Sequence, residues 1–404
     1  MQHVHFYNPY HLGDHLYSIS FFYHVLTYKK DLIIHYMCPI TYHGELKTYL
    51  KLGKIDHTVI LEEDHPNKNG YLLLWIWSTD VQCNFGNCNE PCFNLFMKKH
   101  FNSWMVRMKW LDLPSFPDIF FPIYPFYEND DMIPSKYKNT EIFLVNSFGY
   151  SGQASVNTFD WDLIATVLSK KFKICTTRKV SGIPCIRDDA LKLYQVGILT
   201  KNLKYYIGIN TSLFVAALHD GIKKCKKIYV FGRDARLSFP NNRAISHLGE
   251  IQLDEFDLIQ ECIKELYRIV LHREADHDGI HHYTNQVRSN SQNFESIFHD
   301  MFNSTEKKIW IVSQLYQTIQ SREPDLSGLN SHVQNLQHNF SYRHQLIHDF
   351  KKCDEKFNRF LQTYLDDDRF SESDKEFIRN NQDKIKDKWK LSTKLLSLRD
   401  ILSL

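Results

Sequence analysis

An α/β fold followed by an all-helical C-terminal extension is what this sequence predicts, on three observations. Short apolar runs alternate with helix-spaced stretches up to about residue 250. A proline-dense segment divides that alternation in two, and beyond it the strand-like runs stop. Strands that alternate with helices form parallel sheets with right-handed crossovers.

The elements follow in order. Val4–Tyr7 reads as a strand, Asn8 to Asp14 as a loop, and His15 to Tyr28 as a helix with Leu16, Ile19, Phe22 and Leu26 on one face. Leu32–Tyr36 is a strand, Gly44 to Leu52 a short helix, Thr58–Leu61 and Tyr71–Trp77 strands, and Pro91 to Trp110 a helix. Between 111 and 140 stand Pro114, Pro117, Pro122, Pro125 and Pro134, a density that breaks regular structure. The alternation then resumes: strand Glu141–Asn146, helix Phe159–Ser169, strand Phe172–Thr176, helix Asp189–Gly197, strand Tyr205–Ile209, helix Thr211–His219 and strand Lys227–Phe231. Residues 254–305 read as short helices. Residues 329–404 hold no glycine or proline, and Val333, Leu336, Phe340, Ile347 and Phe350 recur at helical intervals of three, four or seven. That stripe suits a coiled coil for self-association or a helix packed on its own domain. The expected division is 1–125 and 126–250 as two βαβ-type domains, 251–310 as a small helical domain and 311–404 as a helical tail.

Composition narrows the function. Lys and Arg total 49 against 47 Asp and Glu in 404 residues, a net charge of +2, which gives no electrostatic footprint for nucleic acid. Nine scattered cysteines argue against a disulfide framework and for reduced thiols in a cytoplasmic setting. Cys83, Cys88 and Cys92, with His100 nearby, lack the paired CxxC spacing of a zinc site, and no essential metal or cofactor is expected. No signal peptide is evident, and the apolar run Tyr71–Trp77 is too short to span a bilayer.

Three segments carry candidate chemistry. Tyr10-His11-Leu12-Gly13-Asp14-His15 follows the first strand, where open α/β sheets place their ligand contacts. Asp14 there suits a base that takes a proton from a hydroxyl, with His11 beside it; as a plain structural residue it would N-cap the following helix. Asn146 to Gly152 follows another strand with small and hydroxyl residues that suit a phosphate cradle, without the lysine ending of a Walker loop. Tyr205 to Ala217 runs strand to helix through Asn210, Thr211 and Ser212, a place that favours a diphosphate or, structurally, an ordinary cap.

In this order, with "IGINTS…AAL" and "IYVFG" at the end, the segments resemble GT-B glycosyltransferases, and among them glycosyltransferase family 9, the ADP-heptose-type transferases. The likeness covers roughly residues 1–250. It implies two Rossmann-like domains, an acceptor domain and then a nucleotide-sugar donor domain, and a metal-independent, inverting transfer with Asp14 as base. The donor would be held by Ser147, Gly149, Tyr150, Ser151, Thr177, Asn210, Thr211 and Ser212, with Arg178 and Arg233 standing in for a family lysine that has no counterpart. The family's acid and glycine are Asn210 and Ser212 here, and its later histidine is Val215, so the resemblance leaves sugar and nucleotide open. The acceptor would be a glycan, lipid or protein hydroxyl. The alternatives are a nucleotide-sugar epimerase on the same fold and a non-catalytic scaffold with a homo-oligomerising tail. A second likeness, Leu266 to Ile280 with Tyr283 and Phe298 to Ser304, is to a small helical domain of unknown function found in bacterial proteins. In it Arg273, Asp276 and Gly279 are expected to fix a turn between helices.

Overall fold

The computed structural model describes residues 1–74, 92–110, 112–114, 132–147, 160–209, 211–218, 225–231, 242–245, 247–320, 322–338, 342–352, 358, 361–362, 365–366 and 371–382. They form a mixed α/β structure with two parallel sheets. The chain divides into two compact units, residues 1–262 with 284–293, and residues 263–283 with 294–404. Both sheets belong to the first unit.

The first sheet holds β1 (Gln2–Tyr7), β2 (Leu32–Cys38), β3 (Val59–Glu63) and β4 (Leu72–Leu73) in the order β3-β2-β1-β4, all neighbours parallel. Its connections include α1 (Leu12–Tyr28) and α2 (Ile40–Leu52), and α3 (Cys92–Arg107) follows β4. The period of two is visible in β1, where Val4 and Phe6 are buried and His3 and His5 are not. Phe6 enters an aromatic core with Phe22 at 5.5 Å. Phe21 extends that core to Trp104 at 5.1 Å and Phe101 at 5.5 Å. Each ring fully taken from water contributes about 2–3 kcal/mol.

The second sheet holds β5 (Ile142–Leu144), β6 (Ile174–Thr176), β7 (Tyr205–Ile209), β8 (Lys227–Phe231) and β9 (Asn242–Ile245), parallel in the order β6-β5-β7-β8-β9. Its helices are α4 (Trp161–Ser169), α5 (Leu193–Leu199) and α6 (Ser212–Ala217). Asp160 caps α4 by accepting from the Leu163 amide at 2.9 Å. Gly208 lets β7 close on β5, since a Cβ there would stand 2.5 Å from Val145 Cβ. Strand β9 escaped the sequence reading. Asn-Arg-Ala-Ile is too polar and short to announce a strand, and it is held by pairing with β8.

From Leu258 onward the described elements are helical: α7 (Leu258–Leu266), α8 (His277–Arg288), α9 (Phe294–Asn303), α10 (Thr305–Leu315), α11 (Leu326–His338), α12 (Tyr342–Lys352) and a last helix, Glu372–Asn380. A π turn, Tyr267–Leu271, follows α7, and another, Tyr316–Gln320, follows α10. What comes after each turn repeats. Arg273 lies 4.9 Å over the Tyr267 ring and pairs with Asp276 at 3.1 Å, and Asp276 accepts from the Gly279 amide at 2.7 Å. Arg322 lies 4.7 Å over Tyr316, pairs with Asp325 at 3.4 Å, and Asp325 accepts from the Gly328 amide at 2.8 Å. The Gly279 and Gly328 amide bonds, reinforced by the neighbouring arginines, hold Asp276 and Asp325 below the usual carboxylate range. The turn predicted for the first copy is therefore built twice, and the second copy went unread in the sequence.

The apolar stripe of the tail is used inside the second unit. Val333, Leu336 and Phe350 join Ile311, Val312, Leu315, Tyr316, Ile319 and Leu346 in one buried cluster, with Ile347 packed against it. Phe340 lies outside the described residues. The stripe belongs to α11 and α12, which is the self-packed reading of that spacing. Among the described residues no helix is long and apolar enough to cross a membrane.

Candidate functional site

The carboxyl end of β1 is organised by Asn8. Its side chain is buried and donates to the Leu74 carbonyl beyond β4 at 2.9 Å. Its amide donates to Met37 of β2 at 3.0 Å, and its Oδ1 accepts from the Tyr10 amide at 3.0 Å. One side chain thus ties together the ends of the two strands between which the strand order reverses, the place where open α/β sheets bind ligands.

Helix α1 starts at Leu12, three residues earlier than the spacing predicted. His11 is the N-cap, with extended backbone angles and no side-chain cap bond. Asp14 is accordingly the third residue of the helix, and the capping role expected of it does not hold. It is only 8% exposed and lies near two buried tyrosines. Burial first, and the Asp14 charge second, push Tyr17 well above its ordinary value. His11 is exposed. His15 is fully buried, with Nδ1 2.7 Å from the Tyr36 hydroxyl and Nε2 3.2 Å from the Tyr10 carbonyl. The carbonyl can only accept, so Nε2 carries the proton and Nδ1 accepts from Tyr36. Burial, partly opposed by the Tyr10 bond, lowers its pKa to about 4. Both ring nitrogens therefore have partners inside the fold.

The first turn of α1 meets the first turn of α6. A Cβ on Gly13 would lie 3.5 Å from Ser212 Cα and 3.5 Å from Val215 Cγ2. Two of the three sequence segments, Gly13-Asp14 and Thr211-Ser212, are thereby brought together, and Val215 packs where it faces Gly13. Thr211 is the N-cap of α6 without a side-chain cap bond, and its buried Oγ1 has no hydrogen-bond partner. The ordinary threonine cap is absent here.

The segment after β5 is bound to the segment after β6. Buried Asn146 accepts at Oδ1 from the Thr177 amide at 3.0 Å and the Arg178 amide at 2.7 Å, and donates to the Arg178 carbonyl at 3.1 Å. The Thr177 hydroxyl lies 2.9 Å from Ser147 Oγ and 3.1 Å from Asn146 Oδ1. In this sheet the order reverses between β5 and β7, so Asn146-Ser147 and Thr211 both follow strands flanking the reversal. The Arg178 guanidinium pairs with exposed Asp162 at 2.7 Å. Gly149, Tyr150, Ser151, Asn210 and Arg233 lie outside the described residues, as do Cys83 and Cys88.

A further cluster was missed in the sequence. His3, His5, His35, Glu62 and Tyr71 gather on the first sheet, and one ligand atom each from His5, His35 and Glu62 lie within 4.8 Å of one another. The legible signal was histidine at alternate positions of β1 with another on the neighbouring apolar strand.

Residues 259–310, and again residues 310–360, match a domain of unknown function, DUF4214. The helical region is two tandem matches to one domain. They meet at α10, so the helix that closes the first opens the second. No curated protein and no solved structure matches the chain.

Proposed function

We propose that the chain is a glycosyltransferase. It would transfer a sugar from a nucleoside-diphosphate sugar to a hydroxyl acceptor on two Rossmann-like domains in the GT-B manner, with inversion and without a metal in the transfer step. The observation that carries this reading is the junction of α1 and α6. Gly13 packs on Ser212, which sets the buried Asp14 carboxyl and the Thr211 hydroxyl on adjoining first turns, each beyond a strand next to a reversal of order. Asp14 takes the proton of the acceptor hydroxyl as its oxygen attacks the anomeric carbon. The bond to the diphosphate breaks, and the leaving group's charge is met by the Thr211 hydroxyl and the amides of Thr211 and Ser212. Ser147 and Thr177, locked to each other through Asn146, offer hydroxyls on the neighbouring strand ends.

The test is nucleotide binding. Nucleoside diphosphates that bind only the folded chain raise its melting temperature. Thr211→Val removes the unpartnered hydroxyl without adding bulk beside the contact of Ser212 with Gly13. It should weaken the best nucleotide at least several-fold while the unliganded melting temperature stays put. Equal affinity of the variant for every nucleoside diphosphate would move the donor site elsewhere.

A further inference from the structure

We propose that His5, His35 and Glu62 bind a divalent transition-metal ion of the zinc class. Nothing in this inference rests on the transferase reading. The residues sit mid-strand in the first sheet, whereas Asp14 lies beyond the end of β1.

The strands place the ligands. In β1, Val4 and Phe6 point to the buried side, so His3 and His5 share the other side. His5 and His35 are register partners across β1 and β2, and their rings stack at 4.5 Å. Glu62 comes from β3, the next strand over, and its Oε1 is 2.7 Å from His35 Nδ1. One ligand atom from each of the three falls within 4.8 Å of the others. Ligands about 2.1 Å from a tetrahedral zinc stand about 3.4 Å apart, so closing the set needs only side-chain rotation.

One detail goes beyond a strand-face ion pair. His5 Nδ1 is buried with no hydrogen-bond partner. A His35–Glu62 pair leaves that nitrogen unexplained, whereas an ion fits it. His3 Nδ1 and His35 Nε2 face each other at 2.9 Å in a histidine–histidine hydrogen bond whose donor depends on the tautomer. Tyr71 donates to Glu62 Oε2, which fixes the carboxylate and leaves Oε1 toward the histidines. Two imidazoles and a carboxylate suit zinc and its neighbours better than calcium or magnesium, and offer no thiolate for copper(I).

The experiment uses the full chain, stripped with chelator and titrated with Zn²⁺ alone by calorimetry, then with Co²⁺ followed by visible absorption. One tight equivalent is expected, with a cobalt spectrum lacking a thiolate charge-transfer band. His5→Ala with His35→Ala should weaken it by about 100-fold or more. Glu62→Gln, which keeps shape and the Tyr71 contact, provides the second reading if the double variant misfolds by circular dichroism. It should weaken the same equivalent. Changing Cys83, Cys88 and Cys92 together to Ser should leave it intact. The proposal is overturned by the absence of a tight equivalent in the parent. It is equally overturned if binding survives the folded histidine or glutamate variants, or if a thiolate band disappears with the cysteines.

Discussion

The chain is tandem twice over, in different ways. The two helical copies repeat contact by contact: Tyr267, Arg273, Asp276 and Gly279 make the arrangement that Tyr316, Arg322, Asp325 and Gly328 make again. The two sheets share only parallel strands and crossovers. Their strand orders differ, and so do their strand-end residues, Asn8 with Gly13-Asp14 in one and Asn146-Ser147 with Thr211-Ser212 in the other. A repeated polar cluster that satisfies itself in both copies sets shape. Polar groups that differ at equivalent strand ends, one of them an unpartnered hydroxyl, are where a ligand is to be sought.

That contrast can be broken by pH. His15 lies in the sheet unit with a folded-state pKa of about 4 against 6.5 for the free side chain. As pH falls below about 6.5 the unfolded chain takes up a proton that the folded chain refuses until about 4. The stability linked to neutral His15 is therefore complete above that window and lost through it. The full shift corresponds to about 3 kcal/mol. His15→Gln keeps a donor and an acceptor without titrating there, so its urea midpoint should fall less between pH 7 and pH 4.5 than the parent's. Parallel falls in both proteins would remove His15 from the acid response.

A smaller effect ranks the two helical copies. A Cβ on Gly279 would stand 1.9 Å from the Tyr267 hydroxyl oxygen, and one on Gly328 would stand 2.5 Å from that of Tyr316. Both tyrosine rings are buried, so neither swings aside freely. Overpacking of this kind costs about 1–3 kcal/mol, offset by up to about 1 from the better helix propensity of alanine. Gly279→Ala should lose about 2 kcal/mol by urea unfolding, and Gly328→Ala about 1. A neutral Gly328→Ala beside a costly Gly279→Ala would show that the second copy is the looser one.

Legibility followed burial. Strands β7 and β8 were read to the residue because both are continuous apolar runs closed by a polar residue or glycine. The start of α1 was misplaced because Gly13 reads as loop, whereas in the fold it is the second residue of the helix and lies beside Ser212. The second helical copy was hidden because little beyond its Leu-Tyr pair, Arg, Glu, Asp and Gly recurs. The residues between differ, Arg-Ile-Val-Leu-His against Gln-Thr-Ile-Gln-Ser. Asp14 and Thr211 could be named from strand ends, but the approach of Gly13 to Ser212 that brings their segments together is tertiary. The histidine cluster was invisible because its members come from three strands and acquire meaning only from register.

The measurement that bears most directly on the transferase reading is Asp14→Asn. Asp14 is buried in the first turn of α1 and is not its N-cap residue, so the variant's folding and nucleotide affinity are measured beside its rate. With the nucleotide sugar chosen by the melting screen, release of nucleoside diphosphate in the presence of acceptor is followed alongside nucleotide affinity. The expected result is a folded variant with parental affinity and a rate lower by at least about 100-fold, the scale of general-base catalysis. A folded Asp14→Asn chain that transfers sugar at the parental rate would contradict it.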